Sequence, residues 1–83
     1  MKYWFLNIHI QDGEHEHNSL SVHVTKGNEK FDVDDYLKDF YGNKEDTEVD
    51  GDIYYYQGGS IACSLESLQE ITKKEYTVLK KFI

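Results

Sequence analysis

Apolar and polar residues alternate with a period of two in the first part of the chain. Even positions carry the apolar side chains in residues 3–11 and again in 18–25: Trp4, Leu6, Ile8, Ile10, Leu20, Val22 and Val24. Such alternation is typical of strands with one buried face. Because cross-strand partners share a face, the two apolar sets match only if even residues pair with even ones. A tight turn at Asp12-Gly13 would break that match, so the sequence predicts a longer turn or a bulge at Gly13.

Residues 31–42 are predicted to form a helix. Asp32 is suited to cap its first turn, and Phe31 and Tyr36 have the spacing of a hydrophobic staple. The apolar residues of the segment recur at helical spacing, and Gly42 is suited to end it. The predicted buried stripe consists of Val33, Tyr36, Leu37 and Phe40.

A second helix is predicted in the last thirteen residues, ITKKEYTVLKKFI. Thr72 and Glu75 have the spacing of a capping box, and the predicted inner stripe consists of Tyr76, Leu79, Phe82 and Ile83. Two more strands are predicted between the helices, at 53–57 and 60–68, with the turn at 58–60. The resulting expectation is an α+β fold: a two-layer ββαββα sandwich, in which a four-stranded, mostly antiparallel sheet carries both helices on one face.

The length and charge of the chain restrict its function. Eighty-three residues suggest a single small domain, 1–83, with a limited core. The net charge is −7 and all nine basic residues are lysines, so direct nucleic-acid binding is disfavoured. One cysteine excludes an internal disulfide and suggests a reducing compartment. No membrane span or signal peptide is predicted, which favours a cytoplasmic protein.

The negative charge is concentrated in the middle of the chain. Residues 29–52 contain ten acids and three lysines, a net charge of −7, whereas residues 71–83 contain four lysines and one acid, a net charge of +3. Clustered carboxylates can imitate a phosphate backbone and occupy a basic surface on another protein. The acids predicted to contact such a partner are Asp34, Asp35, Asp39, Glu45, Asp46 and Glu48.

One acidic segment, DTEVDGDI at 46–53, resembles the first part of an EF-hand calcium loop. Carboxylates fall at relative positions one, three and five, and glycine at six. The resemblance ends there, because Gln57 occupies the position of the bidentate glutamate and a strand is predicted where the second helix should begin. A solvated loop with a turn at Asp50-Gly51 is the alternative interpretation.

The four histidines, His9, His15, His17 and His23, all occupy odd positions. If the second strand extends back to His15, all four would lie on the face that is turned away from the helices. Three imidazoles could then converge on zinc or nickel. The simpler interpretation is a solvated polar face, which explains the same pattern.

Aromatic residues suggest a second contact surface. If Ile53 is buried, Tyr54 and Tyr56 would join Tyr3 and Phe5 on the open sheet face, and such aromatic surfaces favour protein interfaces. Cys63 is expected to be a buried, inert thiol, and no motif of a catalytic site or cofactor site is present.

The leading hypothesis is therefore a small acidic protein-binding module without catalytic activity or cofactor. It would occupy a partner's surface, as an inhibitor or immunity-type protein of a phage or mobile element does, and it could form a homodimer. The alternatives are a divalent-metal module that uses the histidines and a small-ligand binder at a homodimer interface.

Overall fold

A computed structural model describes residues 1–41 and 44–83. Within them the chain forms five strands, two short helices and two 3₁₀ turns. In chain order these are β1 (Lys2–Asp12), β2 (His15–Thr25), α1 (Val33–Lys38), a 3₁₀ turn (Lys44–Asp46), β3 (Glu48–Asp50), β4 (Ile53–Tyr56), a 3₁₀ turn (Gln57–Gly59), β5 (Ile61–Ile71) and α2 (Lys73–Leu79). The strands form one sheet in the order β2-β1-β5-β4-β3, and every neighbouring pair is antiparallel.

The predicted four-stranded ββαββα sandwich is wrong. The sheet has five strands, and the fold is mostly β with two short helices. The additional strand, β3, was not predicted because two of its three residues are acids and no apolar alternation marks it. The helices also lie on opposite faces of the sheet, since α1 packs on Leu6 and Ile8 whereas Tyr76 of α2 packs on Tyr3.

The core lies between α1 and the sheet, and its strand residues come from β1, β4 and β5. Leu6, Ile8 and Ile10 are almost completely buried, together with Leu37 of α1, as the alternation of β1 predicts. The register between β1 and β5 shifts by one residue at Asn7/Ile8. Because of this shift, odd residues of β5 such as Cys63 face the core before the irregularity, and even residues such as Leu68 face it afterwards.

The pairing of β2 with β1 differs from the prediction. The connecting turn consists of only Gly13 and Glu14, so Asp12 pairs with His15 and even residues pair with odd ones throughout. Gly13 has a φ of 62°, a left-handed conformation that glycine adopts without steric cost. The apolar residues of β2 consequently lie on the face opposite the α1 core, and the predicted match of the two apolar sets is wrong.

A second apolar contact explains why this register is stable. The odd positions of β1 begin with Tyr3 and Phe5, which pair with Val24 and Val22. Tyr76 of α2 covers this end of the sheet, with its ring centroid 5.1 Å from that of Tyr3. Both faces of β1 are therefore partly apolar, and each face has its own helix. The prediction that Phe82 and Ile83 belong to the buried stripe of α2 is wrong, because Phe82 is 79% exposed and Ile83 is 47% exposed.

The predicted helix caps are confirmed. The Asp32 carboxylate accepts a hydrogen bond from the Asp35 backbone N–H at 3.0 Å. Thr72 and Glu75 form a reciprocal capping box with distances of 3.0 and 3.1 Å. The helix α1 is shorter than predicted and ends at Lys38; the predicted terminator, Gly42, lies outside the described residues.

Candidate functional site

An open groove of about 580 Å³ runs between α1 and the end of β2; we call it the α1 groove. Its apolar surface is formed by aromatic rings of the α1 segment. Phe31 and Tyr36 have ring centroids 5.5 Å apart, and Tyr36 and Phe40 are 5.6 Å apart. All three side chains are half-buried, so part of each ring faces the groove. The lining residues are Val24, Thr25, Glu29, Lys30, Phe31, Asp32, Asp35, Tyr36, Asp39 and Phe40.

Three exposed aspartates, Asp32, Asp35 and Asp39, line the α1 groove beside these rings. Their spacing of three and four residues places them along one side of a helix, next to the aromatic stripe. The cap at Asp32 fixes the start of α1 and hence the direction of this side. The sequence pattern therefore combines a carboxylate row and an aromatic row in one groove.

His23 packs against two of the rings that line the groove, Phe31 and Tyr36, from the sheet side. Because odd residues of β2 pair with even residues of β1, the His23 imidazole faces α1. It stacks on Phe31, with ring centroids 4.4 Å apart. It also meets the ring of Tyr36 edge-on at 4.9 Å and lies 2.8 Å from the Ser21 hydroxyl. Burial lowers the pKa of His23, so the ring is neutral at pH 7. The groove consequently keeps its negative character.

Carboxylates next to aromatic faces suit the side chains of arginine and lysine. A guanidinium group donates paired hydrogen bonds to a carboxylate and stacks on an aromatic ring. Each cation–π contact contributes about 0.5–2 kcal/mol, depending on how well water is excluded. Lys30 also lines the groove, but the three aspartates outnumber it. The arrangement can therefore hold a cation.

The predicted contact residue Asp34 has a structural role within the fold. Its carboxylate accepts a hydrogen bond from the Tyr54 hydroxyl at 2.6 Å and contacts the Lys38 ammonium at 2.9 Å. The hydrogen bond from Tyr54 and the contact with Lys38 lower the pKa of Asp34. Asp34 thus connects α1 to β4 and does not line the α1 groove.

The other predicted acids extend the negative surface beyond α1. Glu45 and Asp46 lie in the 3₁₀ turn and Glu48 begins β3; all three are exposed. The Thr47 hydroxyl donates a hydrogen bond to the Lys38 carbonyl at 2.9 Å, which holds this segment at the end of the helix. Of the six predicted acids, only Asp35 and Asp39 line the groove.

The prediction that Tyr54 and Tyr56 lie on the open face is wrong. Tyr54 is 9% exposed and Tyr56 is 2% exposed, whereas Ile53 is 39% exposed. The two tyrosines pair with Cys63 and Ile61 and therefore share the core face. The Tyr56 hydroxyl donates to the Leu37 carbonyl, and burial together with Asp34 raises the pKa of Tyr54 to about 12.

Tyr3 and Phe5 do lie on the face opposite α1, where both are half-buried. Tyr3 packs against Tyr76 of α2, so the helix covers part of the surface that these residues were predicted to offer. They belong to a different face from Tyr54 and Tyr56, and the predicted aromatic surface is not formed as one patch.

The histidines are divided between the two faces. His9 lies opposite Asn18 on the face turned away from α1, with its Nε2 3.4 Å from Glu16 Oε1. His15, His17 and His23 pair with Asp12, Ile10 and Trp4, so they lie on the α1 side. All four histidines have odd residue numbers, but this did not predict the division. Odd residues of β2 pair with even residues of β1, so they lie on the face opposite His9. Within residues 1–41 and 44–83, no group of three or more histidines, cysteines or carboxylates is placed to hold a metal ion.

The segment that resembles a calcium loop forms a β-hairpin. Glu48 pairs with Tyr55 and Asp50 pairs with Ile53, which leaves Gly51 and Asp52 as the turn. The alternative, a solvated loop with a turn at Asp50-Gly51, is correct only in part: the turn lies one residue later, and the residues on either side of it form extended strands.

Cys63 is buried, as predicted. Burial raises the pKa of its thiol to about 11, so the thiolate is strongly disfavoured at pH 7. It is therefore poorly suited to act as a nucleophile.

Comparison of the chain with protein-family models, curated proteins and solved structures finds no match. Among the described residues, no helix is both long enough and apolar enough to cross a membrane.

Proposed function

We propose that the protein is a non-catalytic binding module that engages another protein by receiving its basic side chains in the α1 groove. The observation that carries this proposal is the juxtaposition of two carboxylates, Asp35 and Asp39, with the rings of Tyr36 and Phe40 in one groove. A hydrogen bond to a charged partner contributes about 1.5–3 kcal/mol, so two such contacts and one stacked ring provide a useful binding energy.

The surrounding charge supports the same partner chemistry. Residues 29–52 have a net charge of −7, and their exposed acids continue past α1 into β3. A field of one sign accelerates the encounter with an oppositely charged surface, and it disfavours nucleic acid. The partner would therefore be a protein with an exposed cluster of arginines.

A module of this kind acts by occupying the partner's surface. We infer that it inhibits or neutralises a partner whose basic groove normally holds an anionic ligand, as an immunity-type protein or an inhibitor from a phage or mobile element would. We place this activity in the cytoplasm, since the lone buried thiol of Cys63 suits a reducing compartment.

The test is the affinity for a fluorescent arginine hexapeptide, measured by anisotropy at low and high salt. The Asp35→Asn/Asp39→Asn variant is expected to weaken binding at least about tenfold, which corresponds to 1.4 kcal/mol. A lysine hexapeptide should bind more weakly than the arginine peptide, because it lacks the planar group that stacks on the rings.

The matched control is Glu14→Gln/Asp52→Asn, which changes the net charge equally at two exposed turn positions outside the groove. Equal weakening in both double variants would show attraction by total charge alone and would remove the groove from the proposal. Binding that is absent even at low salt would reject the partner chemistry altogether. If the peptides bind as expected, capture of proteins by wild type but not by the groove variant identifies the partner.

A further inference from the structure

The outer edge of β2 is a long unpaired sheet edge. The strand has eleven residues and lies at the end of the strand order, where it pairs only with β1 among the described residues. Alternate N–H and C=O groups along such an edge have no strand partner and can pair with another chain.

The two edges of the sheet are protected to different degrees. The opposite edge, β3, has only three residues, and two of them are the exposed acids Glu48 and Asp50. Short strands and charged side chains are the usual devices that block edge pairing. In contrast, β2 contains no lysine or proline, its pairing with β1 has no register shift, and its one carboxylate, Glu16, lies near the strand's beginning. This edge is therefore open to pairing.

We infer that β2 pairs antiparallel with β2 of a second copy of this chain, so that two five-stranded sheets become one continuous sheet. The exposed apolar residues of β2 favour this occupant: Leu20 is 43% exposed and Val24 is 40% exposed, on the same face as Val22. A two-fold axis perpendicular to the sheet keeps equivalent faces together, so the apolar face of β2 lies next to the same face of its copy.

Charge complementarity selects the register. When Leu20 lies opposite Val22 of the partner subunit, Glu16 lies opposite Lys26 of the partner subunit, the first residue after the end of β2, because both pairs have the same sum of residue numbers. The two-fold axis repeats both pairs, which gives two apolar contacts and two ion pairs between exposed side chains. Other registers with matched faces lose the direct opposition of Glu16 and Lys26.

The acids of β3 do not oppose this dimer. The sheet order places β2 and β3 at opposite edges, so the two β3 strands occupy the outer ends of a ten-stranded sheet. Nine spacings of about 4.8 Å separate them by roughly 43 Å, several times the screening length at physiological salt. Pairing through β2 also leaves the acids of β3 exposed.

Sedimentation equilibrium of the full chain, with charge reversal and rescue, tests the inference. Glu16→Lys alone and Lys26→Glu alone are each expected to weaken dimerisation about tenfold, because each creates two repulsive pairs. The double variant Glu16→Lys/Lys26→Glu restores opposite charges and is expected to return to within about threefold of wild type. The control Glu14→Lys makes the same charge change in the turn and should have little effect.

A wild-type chain that remains monomeric up to about 1 mM would overturn the inference. A dimer dissociation constant that neither single charge reversal changes would also overturn it. A double variant as weak as the single variants would also contradict the register. The dimer test changes Glu16 and Lys26 whereas the peptide test changes Asp35 and Asp39, so failure of one proposal can be distinguished from failure of the other.

Discussion

Replacement of Leu37 by alanine tests how α1 is held on the sheet. The helix has six residues, whereas isolated helices shorter than about 12–15 residues are marginal in water. Leu37 is its only fully buried side chain, at 0% exposure, and it packs in the cluster with Leu6 and Ile8. Its contacts therefore position the α1 groove, and their loss should release the helix.

The expected cost follows from complete burial. Replacing a buried leucine by alanine lowers the free energy of unfolding by about 2–5 kcal/mol, because the transfer free energy of the removed atoms is lost and a cavity remains. A protein of this length has a free energy of unfolding of roughly 4–12 kcal/mol, so the variant would lose a large fraction of it. In urea, with a slope of about 1–3 kcal/mol per molar, the unfolding midpoint should fall by roughly 1–5 M.

The assay is urea unfolding followed by tryptophan fluorescence, since Trp4 is the only tryptophan and is buried at 5% exposure. The matched control is Val78→Ala on α2, where the side chain is 48% exposed and the change should stay within about 0.5 kcal/mol. If Leu37→Ala costs no more than this control, Leu37 does not anchor α1 and the argument for a positioned groove fails.

Three further predictions concern titratable groups. Tyr54→Phe removes the hydroxyl that donates to Asp34, so the pKa of Asp34 should rise toward its ordinary value in an NMR titration; an unchanged value would contradict the 2.6 Å hydrogen bond. Because burial lowers the pKa of His23 in the folded state, the unfolded chain binds its proton first, and stability should fall as the pH drops below about 6.5. His23→Gln should flatten this dependence; equal pH slopes in wild type and His23→Gln would place the imidazole in water. Cys63 should react slowly with iodoacetamide in the folded protein and rapidly in urea, since it is buried and its pKa is raised to about 11; equal rates would refute its burial.

Local signals in the sequence predicted several elements correctly. The caps at Asp32 and Thr72 depend on residues three positions apart, so the spacing alone was sufficient. The buried face of β1 and the burial of Cys63 also followed from period-two alternation. These features need no knowledge of which strands are neighbours.

Predictions that depended on strand register were wrong. The apolar residues of β2 were assigned to the core because only one apolar face was considered, although Tyr3 and Phe5 already marked a second one. For β4, the four residues 57–60 between the strands place Tyr56 opposite Ile61, and this register would have predicted the buried tyrosines. A one-residue shift reverses every side chain of a strand, so errors in the turn pass directly into the predicted site.

The α1 groove was only partly predictable. Asp35 and Asp39 were predicted as contact residues from their charge, but the aromatic part of the groove was assigned to the core stripe. The spacing of Asp32, Asp35 and Asp39 was a signal for a carboxylate row along one helix side. The position of His23 under α1 depends on the β2 register and could not be obtained from that spacing.

Mapping of amide chemical shifts during titration with the arginine hexapeptide tests the central claim most directly. If the α1 groove receives basic side chains, the largest changes will occur at Thr25, Tyr36 and Asp39, on the two elements that line it. Changes concentrated in the β3–β4 hairpin, or spread evenly over all exposed acids, would show that the groove is not the binding site.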